Sequence, residues 1–344
     1  MNAVSADIEL LPWQPPQLGH AVDVRGGLRW LRLPVPGRLA HINVWLAPAH
    51  GGGQVLIDTG MNDAGTQAAW QRLAVSERLG EELRGILVTH HHPDHFGMAG
   101  DLARRFAVPA RMSAPARAAA ERAVTESGAT APRLADYRAT WGVDFQQLLE
   151  RAGAVGVFAR LVSGVPAPSA PIEEGEQIRE LRDPWHASLH FGHAEGHVCL
   201  HSTQEGLLIS GDQLLPSISS NISLYPGADS SDPLGDFLAS LARLAQLPAA
   251  TVVLPAHGQP FSGAAARAAQ LRGGHEQRLA RLLDFVAQPQ DTPAVVLALF
   301  GSRNLEGWNG LLAYGETLAH IRYLQLRGAL TRLACAGAVH WVRA

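Results

Sequence analysis

Five short apolar runs constrain this chain more than any other feature: INVWL at 42–46, QVLID at 54–58, GILVT at 85–89, LLISGD at 207–212 and TVVLP at 251–255. Each ends at or beside a polar or acidic residue, so each reads as a strand that delivers its last side chain to a loop. Helical patterns lie between several of them. Asp63 to Leu79 and Asp101 to Phe106 are two, and Phe237, Leu241 and Leu244 share one face after Asp232 and Pro233. Strands alternating with helices predict a layered α/β protein. With 344 residues, 47% of them hydrophobic, the chain can bury one large core and carry a smaller appendage.

The remaining segments set the expected organisation. Residues 110–160 turn to Ala and Arg with scattered Tyr137, Trp141 and Phe145, which reads as a helical insertion. Pattern alone leaves packing filler and substrate cap equally open. The Pro-rich connector GVPAPSAPIEEG at 164–175 then returns the chain to strands. A long helix is expected over 264–288 and another over Glu316 to Arg327, where Leu318, Ile321 and Leu324 share a side and Gly328 is a stop. LTRL and VHWV around CAGA read as a hairpin. The division is therefore a domain over 1–261 and a small helical, winged-helix-like domain over 262–344. Winged helices can bind DNA, but this tail has no basic run, so a homodimer contact or pocket closure is expected before nucleic acid.

Composition removes whole classes of function. All 28 basic residues are Arg, so Lys-dependent phosphate loops, Schiff-base enzymes and Ser-x-x-Lys hydrolases are excluded. No Ser has Gly two residues away on both sides, which removes the nucleophile elbow. Net charge is −3, with no global attraction for nucleic acid or an anionic membrane. Cys199 and Cys335 match no paired metal knuckle or disulfide framework. With no signal-like start and no long uncharged span, a cytoplasmic protein without membrane association is expected.

The chemistry gathers in VTHHHPDHFG, where four of the 16 histidines fall within six positions. At a strand end alternate side chains project the same way, so His90 and His92 point together while His91 points elsewhere. Asp94 and His95 follow at the turn. One rigid loop thus offers two nitrogens to one metal ion and a carboxylate plus a nitrogen to a second. Packing such rings together without a metal would cost desolvation and like-charge repulsion. His20, His41, His50, His91, His186, His190, His275, His320 and His340 read as structural or surface residues.

His90, His92, Asp94 and His95 in this arrangement resemble the signature of the metallo-β-lactamase superfamily. Its other landmarks occur in order: Asp58 in LIDTG, a histidine in FGHAEGH, Asp212 in ISGD and His257 in LPAHG. Of the two histidines in FGHAEGH the resemblance favours His193 as ligand, with His197 in support. The resemblance covers residues 38–261 and implies an αββα sandwich with the metal site at one edge. Past it, the tail resembles the subgroup with a C-terminal extension that includes the human mitochondrial β-lactamase-like protein, glyoxalase II-like relatives and related bacterial hydrolases.

The resemblance implies two Zn2+ ions, or iron or manganese, held by His90, His92 and His193 on one side and Asp94, His95 and His257 on the other. Asp212 bridges them. Asp94 and Asp58 are the candidate catalytic carboxylates, Asp58 by orienting a ligand. Two such ions, roughly 3.5–4 Å apart, share a hydroxide whose parent water is acidified towards a pKa of about 7. That chemistry suits hydrolysis of a small acyl ester, thioester or lactone. A ribonuclease, or a metal-binding regulator that keeps the fold, are the alternatives. Leu215 stands where related lactonases place a Tyr, and QLLPSISSNISLYPG lacks the Cys-Gly and aromatic pattern of glyoxalase II. A β-lactamase proper would need export. Tyr137, Trp141 and Trp308 could wall an acyl group or pack in the core.

Overall fold

The apolar runs are strands because each is covered on both faces. The computed structural model describes residues 8–125, 131–227, 232–302, 305–335 and 338–344. Strands β1 (Glu9–Leu10), β2 (Ala21–Asp23), β3 (Arg29–Pro34), β4 (His41–Pro48) and β5 (Gln54–Ile57) come first. Helices α1 (Ala64–Ser76) and α2 (Leu79–Glu82), strand β6 (Leu83–Leu87), helices α3 (Pro93–Phe96) and α4 (Ala99–Phe106) and strand β7 (Ala110–Arg111) follow. Then come helices α5 (Ala114–Thr125), α6 (Ala131–Trp141), α7 (Phe145–Arg151) and α8 (Val157–Arg160). Strands β8 (Trp185–His190), β9 (His197–Ser202) and β10 (Leu207–Gly211) precede helix α9 (Pro233–Leu244), β11 (Val252–Pro255) and β12 (Phe261–Ser262). The tail holds α10 (Ala264–Phe285), β13 (Gln290–Asp291), α11 (Thr292–Phe300), α12 (Gly307–Leu326) and the hairpin β14 (Leu330–Cys335) and β15 (Ala338–Arg343).

Two six-stranded sheets form, in the orders β2-β3-β4-β5-β6-β7 and β1-β12-β11-β10-β9-β8. The parallel pairs β5·β6, β6·β7 and β10·β11 need crossovers, and helices α1 to α4 and α9 supply them. Strand alternation explains the rest. Trp30, Trp45, Val55, Ile57 and Leu87 meet Val198, Leu200, Leu207, Ile209 and Leu254 between the sheets. Their neighbours Val44, Leu46, Leu56 and Ile86 face Trp70, Leu73 and Leu102 of α1 and α4. Cys199, Leu208 and Val253 face Phe237, Leu241 and Leu282 of α9 and α10. A strand buried on both sides carries no polar alternation, which is why the runs are continuous. This is the αββα sandwich.

Several expectations need correction. The helix expected from Asp63 to Leu79 breaks after Ser76, where Arg78 takes a left-handed φ of 49° before α2. The first residues of the 110–160 insertion extend the first sheet as β7. In the tail, α10 ends at Phe285, and Glu316 to Arg327 is only the second half of α12. Helix α11 was not anticipated. Its N-terminus is capped by the Asp291 side chain, which accepts the Ala294 N–H at 2.8 Å. Strands β13, β15 and β14 form a separate sheet, which completes the winged-helix order.

The insertion docks on this tail. Trp141 stacks on Trp341 with ring centroids 5.7 Å apart, and the Thr292 hydroxyl donates to the Trp141 carbonyl at 2.6 Å. Tyr137 and Trp141 are only 6% and 7% exposed, so for these two aromatics the choice between packing and substrate wall falls to packing. Among the described residues no helix is long and apolar enough to cross a membrane.

Candidate metal centre

Strand ends deliver the site residues to one edge of the sandwich. Asp58 follows β5 with a φ of 64°, rare for a residue with a Cβ. The turn aims its carboxylate at the histidine loop. Oδ1 accepts the Thr89 N–H at 2.8 Å, and Oδ2 accepts the Thr89 hydroxyl at 2.8 Å and His95 Nδ1 at 2.7 Å. Both oxygens are thus engaged. Asp58 acts through His95, turning the other ring nitrogen into the site. His92 precedes the single-turn helix α3, whose first residue, Pro93, suits that position because its missing N–H needs no partner there.

Two groups of donor atoms result. Those of His90, His92, His193 and Asp212 all lie within 4.8 Å of one another, as do those of Asp94, His95 and His257. His90 Nε2 is 3.0 Å from His92 Nδ1 and 3.3 Å from His193 Nε2. Asp212 lies between the groups. Its Oδ2 is 3.4 Å from His193 Nε2, and its Oδ1 is 3.4 Å from His257 Nε2 and 3.5 Å from His95 Nε2. Asp94 Oδ2 is 3.3 Å from His257 Nε2.

The outer ring nitrogens are held too. His193 Nδ1 donates to the Asn221 carbonyl at 2.9 Å and His257 Nδ1 to the His41 carbonyl at 2.8 Å. His90 Nδ1 lies 3.1 Å from the Thr89 hydroxyl. A carbonyl can only accept, so it fixes the proton on Nδ1 and leaves the Nε2 lone pair facing inward. His95 Nε2, His257 Nε2 and Asp212 Oδ1 are buried there with no hydrogen-bond partner. Lone pairs converging at 3.0–3.5 Å repel unless a cation lies among them. Tetrahedral zinc, with bonds of roughly 2.0–2.1 Å, has ligand-to-ligand edges of about 3.3 Å. The donor set fits a divalent ion.

Electrostatics favour positive charge at the same place. Burial opposes charge on His95, yet Asp212, Asp94 and Asp58 hold its imidazolium well above the ordinary range. Burial likewise opposes charge on His257, and Asp212 and Asp94 raise it. Asp94 and Asp212 are held below the usual carboxylate range by His95 and His257, against the effect of burial. His90 and His92 go the other way, pushed well down by burial and by neighbouring histidines. They are neutral nitrogen donors.

Every residue expected at the site is brought to this edge. Of the pair in FGHAEGH, His193 reaches the donors, whereas His197 stands behind them. His197 Nε2 accepts the Asp212 N–H at 3.1 Å, and its ring stacks on His90 at 4.7 Å. A Cβ at Gly211 would lie 2.6 Å from that nitrogen, so only glycine lets the chain pass. His91 turns away towards Phe158. Leu215 is buried, and its carbonyl accepts from Arg267 Nε at 2.6 Å. Sequence reasoning missed the Thr89 hydroxyl, and it missed the Asn221 and His41 carbonyls as supports, since a main-chain acceptor leaves no residue signature. It also missed a third grouping, His275, Glu316 and His320, between α10 and α12.

Comparison with known proteins agrees with this geometry. The metallo-beta-lactamase superfamily model matches residues 37–257, and the metallo-beta-lactamase-like C-terminal domain model matches residues 279–344. The chain is 28% identical over 318 residues to a probable metallo-hydrolase of Bacillus subtilis, covering 88% of this chain and 93% of the relative. It is 26% identical to a hydroxyacylglutathione hydrolase of Stenotrophomonas maltophilia, over 68% of this chain and 67% of that protein. The crystal structure of a beta-lactamase domain protein from Burkholderia ambifaria superposes with a TM-score of 0.87 at 31% identity, covering 100% of both chains.

Proposed function

The chain belongs to the metallo-beta-lactamase superfamily, and from that premise we propose that it is a dinuclear metal-dependent hydrolase of a small acyl ester, thioester or lactone. The observation that carries this reading is the set of buried, unpartnered donor atoms on His95, His257 and Asp212, converging with the nitrogens of His90, His92 and His193. Two divalent ions, zinc on the nitrogen-rich donor chemistry and iron or manganese as competitors, would supply Lewis acidity and a water acidified towards neutrality.

The chain's own residues prepare the rest. His90, His92 and His193 would hold one ion and Asp94, His95 and His257 the other, with one oxygen of Asp212 turned to each group. Asp58 keeps the His95 proton on Nδ1, so the nitrogen facing the site stays a donor. His197 holds the Asp212 main chain, and the carbonyls of Asn221 and His41 prevent His193 and His257 from turning. The cage is built of imidazoles and carboxylates, with no serine or cysteine among its donors.

An acyl substrate is supported by the hydroxyacylglutathione hydrolase relative, although the 213–227 segment lacks the residues expected for a glutathione thioester. Metal content and turnover on a panel of thioesters, lactones and simple esters test the reading. Zinc-dependent cleavage of at least one class is expected. A folded chain that takes up no stoichiometric ion would remove it.

A further inference from the structure

We propose that helix α12 positions His193 for its ion, acting through the 221–225 segment; this rests on the reading of His193 as a metal ligand. His193 is fixed by its Nδ1–H, which donates to the Asn221 carbonyl at 2.9 Å. The place of that carbonyl is set by residues 221–225, which form no helix or strand of their own. They are held from outside. The Leu224 N–H donates to the Gly315 carbonyl of α12 at 3.0 Å, and the Tyr137 hydroxyl of α6 donates to the Leu224 carbonyl at 2.8 Å.

Asn221 itself is tied to the same helix. Its Nδ2 points to the Leu312 carbonyl and to Glu316 Oε2, each at 3.4 Å, and its Oδ1 accepts from the Ser223 hydroxyl. Glu316 is steadied in turn by Arg278 of α10, whose Nη1 donates to Oε1 at 2.7 Å. Helix and segment meet at Gly315. A Cβ there would lie 2.5 Å from Ser223 Oγ and 2.7 Å from Ser223 Cβ. Gly315 is inside a helix with ordinary φ, so glycine serves the close approach and not the backbone conformation.

The dependence is specific to one ion. His95 is backed by Asp58, His257 by the His41 carbonyl and His90 by Thr89, all from the sandwich itself. Among these four histidines His193 is the one whose outer nitrogen is held by the segment strapped to α12. A displacement of α12 should therefore weaken the ion of His90, His92 and His193 and spare that of Asp94, His95 and His257. Glu316 is on this account a positioning residue.

The test uses full-length variants, with Zn2+ affinities measured by chelator competition and Co2+ spectra recorded to tell the two ions apart. His193→Ala identifies the ion concerned. Gly315→Ala is expected to weaken that same ion by about 10–100-fold, the usual effect of losing an outer hydrogen-bond partner, and to leave the second unchanged. Glu316→Ala should act in the same direction, and Glu316→Gln, which keeps one acceptor oxygen for Asn221 but loses the ion pair with Arg278, should fall between it and the parent. Gly273→Ala, in α10 with nothing within 4 Å of the new methyl, should behave as the parent. If Gly315→Ala does not fold, the Glu316 pair decides. The proposal is overturned if His193→Ala loses the ion while Gly315→Ala and Glu316→Ala bind both as the parent does. It is equally overturned if the variants lose both ions in step with their unfolding temperature. Should His193→Ala itself bind zinc like the parent, the metal-ligand reading has failed instead.

Discussion

Two buried histidine groups occupy this molecule, one at the sandwich edge and one between α10 and α12, and they differ in what balances them. In the tail, His320 Nδ1 donates to the Glu316 carbonyl at 2.7 Å, so its Nε2 faces His275 Nδ1, 3.2 Å away, as an acceptor. Arg278 supplies the positive charge, at 2.7 Å from the Glu316 carboxylate. Of the two histidines between α10 and α12, only His275 has a buried ring nitrogen, Nε2, without a partner. At the edge the described ion-pair partners of Asp94 and Asp212 are histidines and not arginines, and inward lone pairs on three side chains are unmatched. Ligand-type residues at ligand spacing do not define a metal site. Uncompensated buried donors do.

The largest effect expected from this contrast is at Asp212, the one side chain between both donor groups. Asp212→Ala should abolish hydrolysis and lower the affinity for both ions by more than the roughly 10–100-fold typical of an outer partner, while Glu316→Ala leaves one ion intact. Equilibrium dialysis with zinc distinguishes them. Next, metal removal by chelator should lower unfolding stability by about 2.7 kcal/mol for each ion lost, relative to protein at a hundredfold excess of ion over its Kd. The His320→Gln variant should show the same chelator-dependent loss, because its ring takes no part in ion binding. Calorimetry with and without chelator checks both.

Asp58→Asn should weaken the ion of Asp94, His95 and His257 by about 10–100-fold, since the amide cannot hold the His95 ring as the carboxylate does. A last effect concerns pH. Burial and Arg278 push His275 down to about 4, and burial and His275 push His320 down to about 3. A native pKa below the unfolded value of about 6.5 gives stability that is full above that value and lost as pH falls through the native one. The tail should therefore weaken progressively from about pH 6.5 down to 4 and then 3. His320→Gln should flatten the dependence, as urea midpoints measured across that window would show.

How legible the molecule was depends on where the information lies. The sandwich could be read from its strands because Leu56, Val253 and their neighbours are buried on both faces, and the ligands because rare residue types recur at strand ends. Helix α11 was missed since VVLALF is an unbroken apolar run that looks like a strand, even though DTP before it is a helix start. The first half of α12, GWNGLLAYG, hid behind three glycines. The supports of His193 and His257 are main-chain carbonyls, which any residue could provide. The role of Gly315 depends on Ser223, 92 positions away in the chain, and only the folded contact reveals it.

Elemental analysis of the purified full-length chain, set beside Asp212→Ala, is the most direct measurement. The account predicts two divalent ions per parent chain and their loss, together with hydrolysis, in the variant. A parent chain that is folded and hydrolyses its substrate with no bound ion would contradict it.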